Sequence, residues 1–110
     1  MTSDAPVPLL PRDLAARLAA GEALVLLDVR EPEELAICAL PGVTHVPLGE
    51  LAVRHVELDP DAPTVCICHH GVRSAHAAAG LARLGFTRLY NLVGGVDRWA
   101  KDVDRSMSRY

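Results

Sequence analysis

Residues 65–74, with the sequence VCICHHGVRS, decide how the rest of this chain can fold. An apolar run ends in Cys68, and a short loop that contains Gly71 leads into an alanine-rich segment with a helical pattern. A strand followed directly by a helix is the repeating unit of a parallel sheet. The stretch therefore predicts a strand that carries a thiol at its carboxyl end, next to the N-terminus of a helix.

The segments on either side repeat this alternation. Apolar runs predict strands at residues 23–27, 43–46, 64–68 and 88–92, and helical patterns predict helices at 11–20, 31–37, 49–56, 74–84 and 96–103. Strands that alternate with helices at this spacing predict an α/β fold with a parallel sheet.

Length and composition limit the class of protein. The 110 residues suit one domain, and half of them are apolar while 4% are aromatic, so the core is aliphatic. A net charge of -3 offers no basic surface for nucleic acid, and no apolar run approaches the ~18 residues of a membrane span. The N-terminus lacks the features of a secretory signal, and three cysteines, an odd number, suit free thiols. We therefore expect a cytoplasmic protein.

Cys68 is the candidate nucleophile. Open parallel sheets bind ligands at the carboxyl ends of their strands. The N-terminus of the next helix, Arg73, and the protonated forms of His69 and His70 would all favour a thiolate. Gly71 lets the loop curve so that backbone amides converge on the sulfur. The residues alone leave open an ordinary strand-end cysteine.

Four motifs, in the same order along the chain, resemble those of rhodanese-like domains. Residues 68–74 (CHHGVRS) resemble the active-site loop of that family, and residues 27–34 (LDVREPEE) resemble its first-strand motif, with Glu34 at the acidic position. LPGV at 40–43 with VPL at 46–48 resembles the next motif, and NLVGGVDRW at 91–99 resembles the closing Gly-Gly-x-x-x-Trp motif. The resemblance implies a three-layer α/β/α fold with a central, mainly parallel five-stranded sheet. It divides the chain into a flexible segment (1–8), the domain (9–103) and a C-terminal tail (104–110).

The resemblance implies sulfur transfer without a metal or an organic cofactor. Cys68 would take a sulfane sulfur from a donor, thiosulfate or a persulfide, and pass it to an acceptor, cyanide or a thiol. A thioredoxin-type dithiol protein is a further candidate acceptor, whereas no nucleic acid or membrane partner is expected. The loop residues around the sulfur would be His69, His70, Gly71, Val72, Arg73 and Ser74.

Three further residues are expected to shape the site. We expect Asp28 to cap the turn after its strand and Arg30 to pair with Glu34 or another carboxylate. Trp99 is expected to pack under or beside the Cys68 loop.

Loop length separates this pattern from that of the related phosphatases. Four residues lie between Cys68 and Arg73, whereas the cell-cycle phosphatases carry Cys-x5-Arg, a loop that accommodates phosphate. The shorter loop favours a single sulfur atom, so a phosphatase or arsenate reductase is the less favoured alternative. A non-catalytic sulfur-relay or interaction module needs the same loaded cysteine, and the sequence leaves it open.

The loop also departs from the family pattern. His69 and His70 stand where thiosulfate-using members more often carry Arg or Lys, which leaves the donor open. Arg73 is the one permanent cation of residues 68–74, and we expect it to bind an anionic donor rather than a surface carboxylate. Residues 37–40 (ICAL) replace a Gly-His-Ile step, so the histidine often found there is absent.

The other two cysteines are expected to be structural. Cys66 lies in an apolar strand, and Cys38 lies at a helix end without a nearby basic cluster. A metal site made from Cys66, Cys68, His69 and His70 would need distant ligands to become tetrahedral, and no second ligand pair is present in the sequence.

Overall fold

The computed structural model describes residues 5–110, so the first half of the predicted flexible segment lies outside the described residues. In this range the strands are β1 (Val7–Leu9), β2 (Val25–Asp28), β3 (Thr44–His45), β4 (Thr64–Ile67) and β5 (Leu89–Leu92). The helices are α1 (Pro11–Ala19), α2 (Pro32–Ile37), α3 (Leu51–Arg54), α4 (Val72–Arg83) and α5 (Gly95–Asp102), and the 3₁₀ turns Leu48–Glu50 and His55–Glu57 flank α3. The strands form one sheet in the order β1-β5-β4-β2-β3, and each described pairing is parallel. The predicted α/β fold with a parallel sheet is confirmed.

The central strand β4 sends its side chains alternately into two core clusters. Cys66 and the following Cys68 belong to one cluster with residues of α4, whereas Val65 and Ile67 belong to the other with residues of α1 and α5. Successive side chains of a strand point to opposite faces, so the two clusters lie on opposite faces of the sheet. The molecule therefore has the three layers that the resemblance implied, with the Cys68 side chain on the α4 side.

The first strand was not predicted. Val7–Leu9 pairs with β5 at the edge of the sheet, so Val7 and Pro8 are strand residues and not part of a flexible segment. The strand is short and contains a proline, and an edge strand is the place in a sheet that tolerates proline. A strand of three residues that contains a proline does not show the alternation of apolar and polar residues from which strands are predicted.

Two helical predictions differ from the structure. Residues 49–56 form the short α3 between two 3₁₀ turns and not one helix. Helix α4 begins at Val72, two residues before the predicted start, because Gly71 takes a left-handed conformation (φ +101°) and serves as its N-cap residue. Val72, Arg73 and Ser74 are consequently in the first turn of α4 rather than in a loop.

Helix α2 begins with a capping box. The Glu31 amide donates to the Glu34 carboxylate at 2.9 Å, the Glu31 side chain accepts from the backbone of the same turn, and Pro32 occupies the first turn. This arrangement fixes the Glu34 side chain at the start of the helix. None of the helices in residues 5–110 has the length and apolarity needed to cross a membrane.

Candidate active site

Cys68 follows the last residue of β4 and is almost fully buried, with 1% of its surface exposed. Its Sγ accepts a hydrogen bond from the Gly71 amide at 3.0 Å and lies 3.2 Å from the Ser74 hydroxyl. Both partners belong to the start of α4, whose N-terminal amides favour negative charge. Several amides were expected around the sulfur, and among the described hydrogen bonds the Gly71 amide is the one that reaches it.

Asn91 was not predicted as a site residue, although it stands in one of the motifs quoted above. Its side-chain oxygen accepts a hydrogen bond from the Ser74 hydroxyl at 2.5 Å, and its side-chain nitrogen donates to the Gly71 carbonyl at 3.1 Å. Asn91 thus contacts both residues that contact the Cys68 sulfur. The available signal was its place as a polar residue near the carboxyl end of a predicted strand.

The N-terminus of α5 holds the backbone of the cysteine loop. The Val96 amide donates to the Cys68 carbonyl at 2.9 Å, and the Asp97 amide donates to the His69 carbonyl at 3.1 Å. A Cβ on Gly95, which has φ +61°, would overlap both of these carbonyl oxygens. The close approach therefore explains the second glycine of the Gly-Gly pair.

Arg73 does not stand free to bind an anion. Its guanidinium donates two hydrogen bonds to the Glu34 carboxylate, at 2.6 and 2.7 Å. This contact lowers the pKa of Glu34 to about 2. Arg73 thus makes the carboxylate pairing in this structure, and its binding of an anionic donor stays a prediction.

Asp28, the last residue of β2, and Arg30, in the loop that follows it, form a fully buried ion pair. The Arg30 side chain donates to both carboxylate oxygens of Asp28, at 2.9 and 2.7 Å, and the Arg30 amide donates to the same carboxylate at 3.1 Å. Asp28 therefore binds the turn as expected, and the partner of Arg30 is Asp28 and not the Glu34 carboxylate. Arg30 also donates to the backbone carbonyl of Cys38 at 2.8 Å, so Cys38 does have a basic neighbour, contrary to the prediction.

Tyr110 connects the tail to the site, which the sequence did not indicate. Its ring stacks on His69 with the centroids 3.9 Å apart and the planes 10° from parallel. Its hydroxyl accepts a hydrogen bond from Arg30 at 2.9 Å and donates to Glu34 at 2.9 Å. Met107 packs against the second core cluster, so the tail is held to the domain at both Met107 and Tyr110.

The two loop histidines have different surroundings. His69 is half-buried between the rings of His70 and Tyr110, and its Nε2 atom is buried with no hydrogen-bond partner in the described structure. Burial, together with the neighbouring His70, lowers the pKa of His69. His70 is exposed, with Nδ1 at 3.9 Å from the Asp97 carboxylate. Burial thus favours the neutral form of His69.

Trp99 does not line the thiol side of the sheet. It packs in the second core cluster with Val65 and Ile67, so it supports the helix that holds the loop and is not next to the Cys68 sulfur. Cys66 lies in the core, and burial raises the pKa of its thiol to about 12. The described part of the chain contains no group of three or more His, Cys, Asp or Glu side chains that could hold a metal ion.

Cys68 directly follows the central strand of a parallel sheet. The N-terminus of α4 contacts its sulfur and the N-terminus of α5 binds its backbone carbonyl. This arrangement is that of an α/β protein with a functional cysteine at the carboxyl end of the sheet. The family model of the Rhodanese-like domain matches residues 10–102. The chain belongs to the rhodanese-like family.

Named relatives agree with this assignment. The chain is 44% identical to the putative sulfur carrier protein YrkF of Bacillus subtilis over 78 residues, which are 71% of this chain and 42% of that protein. It is 37% identical to thiosulfate sulfurtransferase GlpE of Pseudomonas entomophila over 72% of each chain. The structure of the human single-domain sulfurtransferase TSTD1 superposes with a TM-score of 0.74 at 28% identity, over 89% of this chain and 96% of that one. Similarity to these proteins supports rhodanese-like sulfur transfer as the activity class.

Proposed function

We propose that this chain is a sulfurtransferase in which Cys68 carries a sulfane sulfur as a persulfide. The observation that carries the proposal is the pair of hydrogen-bonding groups at the Cys68 sulfur, the Gly71 amide at 3.0 Å and the Ser74 hydroxyl at 3.2 Å, at the N-terminus of α4. The Gly71 amide stabilises a sulfur anion, as oxyanion-hole amides stabilise oxygen, and the Ser74 hydroxyl adds to this when its proton turns toward the sulfur.

The reaction has two balanced steps. The Cys68 thiolate attacks the outer sulfur of the donor and forms a new S–S bond. The old bond to that sulfur breaks, so thiosulfate leaves as sulfite, and a persulfide donor leaves as its thiol. In the second step the acceptor, cyanide or a thiolate, attacks the outer sulfur and restores the Cys68 thiolate. Neither step needs a metal, an organic cofactor or an external oxidant.

The donor class is thiosulfate or a persulfide, and the acceptors include a thioredoxin-type dithiol protein. Glu34 compensates the positive charge of Arg73. A persulfide, which carries less negative charge than the thiosulfate dianion, therefore suits the site at least as well as thiosulfate. All three cysteines are free thiols in the described structure, which suits the reducing cytoplasm that we propose as the compartment.

Intact-mass measurement tests the proposal directly. After incubation with thiosulfate or glutathione persulfide, the wild-type chain should gain one sulfur atom, and addition of cyanide should remove it as thiocyanate. Cys68→Ser should gain none, whereas Cys66→Ser, which removes the buried neighbouring thiol, should gain sulfur like the wild type. Sulfur uptake by Cys68→Ser, or none by the wild type, would refute the assignment.

A sulfur-relay module is the second candidate. One relative, of which the aligned part covers 42%, is named a putative sulfur carrier. A relay would accept sulfur from a persulfidated protein and form thiocyanate from thiosulfate only slowly. Comparing the loading rates with a protein persulfide and with thiosulfate separates the two functions.

A further inference from the structure

We propose that Asn91 is a positioning residue of the sulfur site, which sets the direction of the Ser74 hydroxyl proton and fixes Gly71 against the Cys68 sulfur. This inference rests on the proposed role of Cys68. Asn91 has no described contact with that sulfur, and it binds both residues that have one.

The sheet register explains why Asn91 lies on the correct face. Asn91 of β5 pairs with Cys66 of β4. Paired residues of neighbouring parallel strands present their side chains on the same face, and Cys66 lies on the face of Cys68. The residues on either side of Asn91, Tyr90 and Leu92, pack in the opposite cluster. A polar side chain at this one position of β5 therefore reaches the start of α4.

The hydrogen bonds determine where the Ser74 proton lies. A serine hydroxyl has one proton to donate and two lone pairs to accept with. In this structure the proton is donated to the Asn91 oxygen at 2.5 Å, so the Ser74 oxygen is left to accept from the Cys68 thiol at 3.2 Å. A Cys68 thiolate or persulfide anion has no proton to offer and needs the Ser74 proton for itself. Asn91 and the sulfur thus compete for one proton, and Asn91 favours the neutral thiol at rest.

The other half of the amide holds the loop. The Asn91 nitrogen donates to the Gly71 carbonyl at 3.1 Å, and Gly71 is the residue whose own amide donates to the sulfur. The Ala75 amide of α4 also donates to this carbonyl, at 3.3 Å, so Asn91 adds a bond from β5 to the one that the helix itself makes. One side chain therefore fixes the Gly71 amide toward the sulfur and directs the Ser74 proton away from it.

Two substitutions separate these contributions. Asn91→Asp keeps an oxygen that accepts the Ser74 proton, and it places a second oxygen against the Gly71 carbonyl and a negative charge near the sulfur. Asn91→Ala removes both hydrogen bonds. Tyr90→Phe is a matched control, since Tyr90 lies on the same strand and faces the opposite core.

The experiment measures alkylation of Cys68 by iodoacetamide as a function of pH, in a Cys38→Ser, Cys66→Ser background where it is the one remaining thiol. Asn91→Asp should slow alkylation at pH 7 by about tenfold or more and move the profile to higher pH, because a like charge disfavours the anion. Tyr90→Phe should leave the profile in place. An Asn91→Asp profile equal to that of the control would overturn the inference.

A double-mutant cycle tests whether Asn91 acts through Ser74. The change in alkylation rate on Asn91→Ala should differ by about fivefold or more between the wild-type and the Ser74→Ala backgrounds, since contacting residues are coupled. A ratio within about twofold, as expected of a merely structural role, would refute coupling through Ser74. In steady-state sulfur transfer, Asn91→Ala should lower kcat with little change in the donor KM, because the loss of support for the Gly71 amide outweighs the release of the Ser74 proton to the sulfur. Alkylation needs no sulfur donor, so a wild-type chain that fails to take up sulfur would refute the proposed function and leave this test valid.

Discussion

The carboxylate of Glu34 accepts two hydrogen bonds from the guanidinium of Arg73, at 2.6 and 2.7 Å. The pair joins the first turn of α2 to the first turn of α4, which begins directly after the cysteine loop. It also compensates the one permanent positive charge of residues 68–74. The charge that a thiosulfate dianion would seek is therefore already neutralised by the protein.

Replacing Glu34 by glutamine should make the site more favourable to an anionic donor. Glu34→Gln keeps the size of the side chain and removes its negative charge. The positive charge of Arg73 is then no longer compensated and can attract an anion to the site. We expect the KM for thiosulfate, a dianion, to fall by about threefold to tenfold, while the KM for an organic persulfide, whose sulfur carries at most one charge, changes less. The free energy of unfolding should fall by about 1–3 kcal/mol, because the arginine loses a charged partner. Steady-state kinetics with both donors and urea unfolding measure these changes.

Glu33→Gln is the control for this prediction. Glu33 lies on the same helix and is exposed. The Glu33→Gln substitution changes the net charge of the protein by the same amount as Glu34→Gln. If Glu33→Gln lowered the thiosulfate KM as much as Glu34→Gln, overall charge rather than the release of Arg73 would be responsible.

The stacking of Tyr110 on His69 should control the pKa of that histidine. Burial is the largest cause of the lowered His69 pKa, and the tyrosine ring provides part of that burial. Tyr110→Ala should raise the His69 pKa toward the ordinary value of ~6.5. Tyr110→Phe should leave it low, because the phenyl ring can still stack. Titration of the histidine ring protons by NMR measures both, with Ser108→Ala as an exposed control in the same tail. Equal His69 titration in Tyr110→Ala and the wild type would contradict the prediction.

Two groups should make stability fall in separate pH windows. A histidine with a lowered native pKa binds fewer protons when folded than when unfolded, so stability decreases as the pH falls below ~6.5. Glu34, with a native pKa of about 2, stabilises the fold above its unfolded value, and this contribution is lost as the pH falls from ~4.5 toward 2. His69→Gln should remove the first decrease and Glu34→Gln the second. Urea unfolding at a series of pH values tests both, and a wild-type stability that does not change between about pH 7.5 and 5.5 would refute the histidine part.

The predictable part of this protein is the part that depends on local pattern. The apolar run before Cys68, the glycine after it and the alanine-rich segment were enough for the strand, the turn and the helix, because each reflects short-range backbone preferences. The first strand escaped prediction because its three residues at a sheet edge, with a proline among them, give no periodic signal. Its existence depends on pairing with β5, which is far away in the sequence.

The hydrogen-bond network of the site was the less predictable part for a related reason. The partner of Arg73, Glu34, lies 39 residues away, and no local pattern around Cys68 indicates it. Tyr110 reaches Glu34 from a separation of 76 residues, and no motif marks it. Asn91 belongs to the motif of residues 91–99. Its contacts with Gly71 and Ser74 depend on the register of β5 against β4, which the sequence does not specify. The sequence was sufficient to identify the residue types at the site. The hydrogen-bond partners of these residues could be identified only from the folded structure.

The Gly94–Gly95 pair provides a last test of how the loop is held. An alanine Cβ at Gly95 would overlap the carbonyl oxygens of Cys68 and His69, and the φ of +61° is unfavourable for any residue with a side chain. The two backbones approach this closely because α5 donates the Val96 and Asp97 amides to those carbonyls. Gly95→Ala should therefore lower the free energy of unfolding by about 2–4 kcal/mol and reduce sulfur loading of the molecules that remain folded.

Gly49→Ala is the matched glycine substitution, because a Cβ at Gly49 would meet open space and its φ is not positive. It should change the free energy of unfolding by no more than ~1 kcal/mol, with a gain in stability as the expected sign, since alanine restricts the unfolded chain. Urea unfolding and intact-mass loading with thiosulfate measure both variants under one set of conditions. If Gly95→Ala were as stable and as readily loaded as Gly49→Ala, the contact between α5 and the cysteine loop would not constrain the site.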